Sequence, residues 1–106
     1  MGIIKVAASN KYERYQVVEA FSAVGTKIRV GKSIFEKGGR IPVRGFAKHE
    51  EDEYVYILKG SISFGTEGEK YCLQEGDFHY MPKGQEHWCR NEAEGESELL
   101  YILVEK

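Results

Sequence analysis

Few residues in this chain can do metal or acid–base chemistry through a ring or a thiol. There are three histidines, His49, His79 and His87, and two cysteines, Cys72 and Cys89. The cysteines stand too far apart for a metal knuckle and are too few for a disulfide framework. In a reducing cytosol both are expected as free thiols. His87 follows Pro82 and Gly84, a pair that turns the chain, Pro by fixing φ and Gly by allowing φ > 0. A side chain just after such a turn is held by the turn and not by a loose loop. His49 and Glu53 lie in residues 48–53, KHEEDE, which taken alone read as a solvated charged turn. Cys89 is two residues beyond His87, so an extended strand points both the same way. Packing as an inert thiol is the commoner fate of such a cysteine, and thiolate ligation the rarer one. His79 lies ahead of the turn, where an edge or core histidine is the ordinary reading.

The elements that must position these residues are short. Twelve glycines are spread along 106 residues as punctuation, and the intervals between them carry β-branched and aromatic side chains. Residues 27–35 read as a strand, with Ile28, Val30 and Ile34 among polar neighbours. Residues 53–59 give the strongest strand signal: Glu53, Val55 and Ile57 share one face, and Tyr54, Tyr56 and Leu58 the other. Ser61–Thr66 follows across Gly60, and 70–73, Phe78–Met81, 87–90 and 98–104 complete the series. Only 10–23 has a pattern that admits helix, and Tyr15, Val17 and Val18 there suit a strand equally well. Strands of this length between turn signals, with no long helical period, predict an all-β sandwich or small barrel.

Gly76, Pro82, Gly84, His87 and Asn91 stand in the pattern Gly, five residues, Pro, one residue, Gly, two residues, His, three residues, Asn. This resembles the second conserved motif of the cupin family at every fixed position. The first cupin motif is matched in part. Glu53, six residues and Gly60 fit it, and His49 takes its second histidine position, but the first histidine position falls on Ala47 and the leading glycine on Ile41. The resemblance implies one cupin domain over residues 1–106, a small antiparallel β-barrel or jelly roll with little or no helix. The motifs occupy 39–91, and 1–25 form an N-terminal strand or arm. It also implies a metal or ligand held inside one end of the barrel. Carried over by position, the metal ligands are His49, Glu53 and His87, with Ala47 unable to supply the fourth. His79 is then a candidate replacement ligand.

Two histidines and one carboxylate form a facial triad, suited to non-haem iron(II), and zinc accepts three protein ligands plus water. Softness does not choose among Fe, Mn, Ni, Co and Zn. The implied function is a small metal-dependent cupin acting on a small organic molecule by dioxygenase, isomerase or lyase chemistry, with no catalytic base named. The alternative is a cupin that binds or senses a small ligand without metal. Phe78, Tyr80 and Tyr101 are candidates for the pocket lining, with their direction left open by the pattern; Trp88 alternates away from His87 toward packing or an interface. Arg44 and Lys48 read as surface cations. Fifteen Lys and Arg against seventeen Asp and Glu leave a charge of -2, which argues against nucleic-acid or anionic-membrane partners. No apolar run approaches the roughly 20 residues of a membrane span, and the first ten residues are too little apolar for a signal peptide. A cytoplasmic location is expected. Tyr54, Tyr56 and Leu58, with Ile3, Ile4 and Val6 of the arm, predict a homodimer through a sheet face.

Overall fold

The computed structural model describes residues 8–22 and 27–105. The expected arm contacts of Ile3, Ile4 and Val6 therefore lie outside the described residues. Among the described residues ten strands follow one another: β1 Ala8–Tyr12, β2 Tyr15–Ser22, β3 Ile28–Phe35, β4 Arg40–Ile41, β5 Glu51–Lys59, β6 Ser61–Thr66, β7 Glu69–Gln74, β8 Phe78–Met81, β9 Trp88–Arg90 and β10 Ser97–Glu105. Among the described residues there is no helix, and so none long and apolar enough to cross a membrane. The described part of the ambiguous segment, 10–22, belongs to a strand hairpin of β1 and β2, paired in register from Ala8↔Glu19 to Tyr12↔Tyr15. Its β-branched and aromatic residues have neighbours on the pleated surface, which a lone amphipathic turn would lack.

All strand pairings are antiparallel. A six-stranded sheet runs β1-β2-β3-β10-β5-β8 and a four-stranded sheet β4-β9-β6-β7. Between them lie Phe35, Val55, Ile57, Ile62, Phe64, Met81, Leu99 and Tyr101, all buried. Burying side chains of this size contributes about 1.5–3 kcal/mol each. β5 follows the expected alternation, with Val55 and Ile57 inside and Tyr54 and Leu58 exposed. β3 alternates too, but its apolar set lies outside: Gly31, Ser33 and Phe35 are the buried positions, while Ile28 is exposed and Val30 and Ile34 half-buried.

β8 decides a direction that the pattern left open. Phe78 is 79% exposed and Tyr80 49%, so neither lines the interior. Their register against β5, Tyr56↔Phe78 and Tyr54↔Tyr80, fixes them on the outer face, and His79 and Met81 turn inward instead. Tyr101 does lie inside, opposite Val55.

Candidate metal centre

The turn after β8 ties two distant segments together. Gly84, in the left-handed region at φ +80°, donates its N–H to the His49 carbonyl at 2.9 Å. Lys83 N–H donates to Asp52 Oδ1 at 2.8 Å. His87 stands just ahead of β9 in an isolated bridge with Ala47, its N–H and carbonyl both bonded to that residue at 2.9 and 2.8 Å. The 47–53 segment is therefore not a solvated turn throughout, and Asp52 within it is buried.

These bonds bring His49, Glu53 and His87 together, with one ligand atom from each lying within 4.8 Å of the others. His49 Nε2 is 3.1 Å from Glu53 Oε1 and His87 Nε2 is 3.7 Å from the same oxygen. The two rings meet edge to face, centroids 5.1 Å apart. Each ring spends its other nitrogen on a backbone carbonyl: His49 Nδ1 donates to Glu51 O at 3.1 Å and His87 Nδ1 to Gln85 O at 2.8 Å. A ring that donates from Nδ1 presents the Nε2 lone pair, and both such lone pairs face the carboxylate. Two imidazoles and a carboxylate so oriented fit a divalent transition metal. In the metal-free chain a proton takes the same place: the hydrogen bond to Glu53 raises the His49 pKa, and partial burial opposes this less strongly.

Behind the cluster is a cavity of about 200 Å³, walled by Phe35, Phe64, Met81, Leu99 and Leu103. That is smaller than the roughly 300–1,000 Å³ of a drug-sized site. Two further polar groups line it, Tyr101 and Arg29. Tyr101 hydrogen-bonds Glu19, and burial, the main cause, lifts its phenol to about 12, so it is a neutral donor. Arg29 is clamped by Glu51 through two bonds of 2.9 Å and lies 3.6 Å from Glu19. Tyr101 lies across β3 at Gly31, where a Cβ would overlap both its hydroxyl and the Val18 carbonyl oxygen. Arg29, Glu19 and Glu51 went unnoticed in the sequence, although Arg29 alternates in phase with Ser33 and Phe35.

The family model for the cupin domain matches residues 31–103. The chain belongs to the cupin family. An uncharacterized protein of Aquifex aeolicus is 43% identical over 47 residues, a match covering 43% of this chain and 39% of that protein. This chain thus matches well under half the length of that curated relative. The cupin domain of an XRE family transcriptional regulator from Enterobacter cloacae superposes with a TM-score of 0.76 at 14% identity, over 88% of this chain and 98% of that one. The polyketide cyclase RemF from Streptomyces resistomycificus gives 0.74 at 13% identity, over 89% and 67%. At these identities the likeness is one of fold, and the fold is shared by a regulator and an enzyme.

The other candidates of this cupin fall into place around the cluster. Ala47 lines the cavity beside His49, so its methyl stands at the wall where the family places a histidine. His79 is a core histidine: Nε2 bonds the Tyr71 hydroxyl, the ring sits 5.0 Å from Phe64, and desolvation lowers its pKa. Cys89 faces the cavity and is buried, which pushes its thiol far up and keeps it neutral. Cys72 is exposed, and both cysteines are free. Trp88 packs on Gly65, on the outside of the four-stranded sheet, with the Arg40 guanidinium 5.1 Å from its ring centre. Arg44 and Lys48 are exposed, as expected.

Proposed function

We propose that this cupin holds a divalent metal, one of Fe, Mn, Ni, Co or Zn, through His49 Nε2, a Glu53 carboxylate oxygen and His87 Nε2, and acts on a small organic molecule in the cavity behind them. The observation that carries this is the shared orientation of the two rings, each with Nδ1 committed to a carbonyl and Nε2 turned to Glu53. When bound, the metal supplies Lewis-acid polarisation of a substrate oxygen, or a site for water or dioxygen. The chain's own residues do the rest. Glu53 brings the negative charge that a dication needs, and Phe35, Phe64 and Leu99 keep the cavity dry. Ala47, by offering a methyl, leaves one side of the cluster open to a ligand. Tyr101, neutral and backed by Glu19, orients a polar atom in the cavity. The reaction is of dioxygenase, isomerase or lyase type.

Elemental analysis of purified protein tests this directly. Near-stoichiometric metal is expected in the wild type, and loss of that metal in His87→Ala with the circular dichroism of the fold retained. Metal-free protein after growth in media supplemented with each of the five metals would end the proposal.

Ala47 favours a second reading, in which the domain binds a small ligand without metal. Ligand-dependent thermal stabilisation then persists in chelator, scaling with the ratio of free ligand to Kd; stabilisation abolished by chelator for every candidate ligand rules it out. Either reading includes a homodimer in a cytoplasmic protein. Support for the dimer comes from the outer face of the six-stranded sheet, where Val30, Ile102, Tyr54 and Tyr80 form one cross-strand row and Leu100, Tyr56 and Phe78 lie in the next. An apolar face this continuous is an interaction surface by default.

A further inference from the structure

On the far side of the four-stranded sheet from the His–Glu–His cluster, three arginines from three different segments meet in one cleft. Ile41 and Cys89 point into the cavity, so their neighbours Arg40 and Arg90 point out, and the two face each other directly across the β4–β9 pair. Like charges in that position repel and destabilise a sheet. The third, Arg14, comes from the β1–β2 turn and adopts φ +65°, a conformation that non-glycine residues rarely take. The turn is docked rather than free: Glu36 N–H donates to the Arg14 carbonyl at 2.9 Å. Its side chain is laid over Gly38, where an added Cβ would stand 2.9 Å from Arg14 Nη1 and 3.9 Å from Arg90 Nη2. Two guanidinium groups therefore converge on one point.

The cleft is about 270 Å³, lined by Glu13, Arg14, Gly38, Arg40, Val43 and Arg90. Its positive charge is poorly compensated. Among the described residues no carboxylate lies within ion-pair distance of Arg14 or Arg40. Arg40 spends Nη1 on the Pro42 carbonyl at 2.7 Å. Arg90 has Glu92 at 3.7 Å, but that carboxylate is already held by Lys70 at 2.9 Å and by Ser63 at 2.7 Å. Glu13 also lines the cleft, one carboxylate against three guanidinium groups. A chain of net charge -2 has thus gathered three arginines where two are in register and one is in an unfavourable backbone conformation.

We propose that this cleft is an anion site for a phosphate dianion, as free phosphate or as the phosphate of a small phosphomonoester. Two converging guanidinium forks, Arg14 and Arg90, with Arg40 on the same cleft wall adding its charge, match a tetrahedral group that offers oxygens in several directions and carries two charges to share. A bound phosphate removes the Arg40–Arg90 repulsion and gives Arg14 a counter-charge. The volume leaves room for a small organic remainder. The site depends on none of the metal-centre residues.

The test is calorimetric and thermal titration with inorganic phosphate and with glycerol 3-phosphate, in chelator so that no metal–phosphate contact contributes. Sodium chloride at matched ionic strength is the control. Saturable binding and a raised Tm are expected with at least one probe; tighter binding of the ester assigns the source as a phosphomonoester. Affinity should fall at least about tenfold in Arg90→Gln and in Arg14→Gly, since each removes a charge-assisted contact. Both variants should be at least as stable as wild type in phosphate-free buffer, because one relieves a facing like-charge pair and the other gives a left-handed position to glycine. Unchanged phosphate affinity in both folded variants, absence of binding by both probes, or equal stabilisation by chloride would each overturn the proposal.

Discussion

Ala47 is the residue on which the chemistry of the cluster turns. It lines the cavity, and its backbone is bridged to His87, so a longer side chain there has the ligand atoms of His49, Glu53 and His87 within reach. Ala47→His is expected to tighten metal binding by about tenfold or more, measured by competition with a chromophoric chelator; each added ligand brings a further metal–nitrogen bond to a site already built. Unchanged affinity would mean that position 47 does not reach the bound ion. His49 sets the pH response. Its folded pKa is raised, first by the hydrogen bond to Glu53. In metal-free protein its stabilisation is therefore complete below the unfolded value of about 6.5 and is lost as pH rises through the folded one. Metal binding must expel that proton, so stabilisation by metal grows over the same rise. Melting curves against pH, with metal and with chelator, should converge toward low pH and separate above it. His49→Gln in chelator should flatten the metal-free profile.

At the scale of elements, the motif's last residue proves structural. Asn91 is fully buried at the end of β9 and holds three stretches of chain. Its Nδ2 donates to Phe35 O and Gly95 O at 3.2 and 2.7 Å, and its Oδ1 accepts from Ala93 N at 3.0 Å. Its backbone exchanges bonds of 2.8 and 2.9 Å with Gly38 and Gly39. Asn91→Ala should cost about 1–3 kcal/mol in urea unfolding, because buried carbonyls lose their donor. Metal content should stay at the wild-type level, since Asn91 is outside the ligand cluster. The β8 strand shows why element-level reading stops where it does. Phe78, His79, Tyr80 and Met81 offer no polar–apolar contrast, so alternation alone cannot say which pair faces inward. Register against β5 decides it.

For the whole molecule, the outer face of the six-stranded sheet is the dominant unsatisfied surface. Tyr54 meets Tyr80 with ring centres 5.1 Å apart and Tyr56 meets Phe78 at 4.6 Å, both pairs tilted, on strands whose outward residues continue as Leu100, Ile102 and Val30. A two-fold pairing of this face is expected to double the sedimenting mass. Tyr54→Lys with Phe78→Lys should return it to that of one chain without loss of folded spectrum, because both residues are already exposed. A wild-type mass of one chain at high concentration would exclude the dimer. The apolar content of β3 and β10 belongs to this outer face as much as to the core, which composition alone does not distinguish.

Read as a sequence, the chain already gives its all-β class and most of its strands, and its resemblance to the cupin motifs names the three residues that meet at the cluster. Period-two alternation and the Pro82–Gly84 turn are local properties that local sterics enforce, whereas the meeting of His49 and Glu53 with His87 runs through bonds between distant segments. Only the tertiary structure decided which face of β3 and β8 turns inward, that His79 belongs to Tyr71 and Phe64 and not to the cluster, and that Asp52 is buried. It alone brought Arg14, Arg40 and Arg90 to one cleft. Each of those outcomes depends on contacts between segments far apart in the chain, where neither propensity nor spacing carries information.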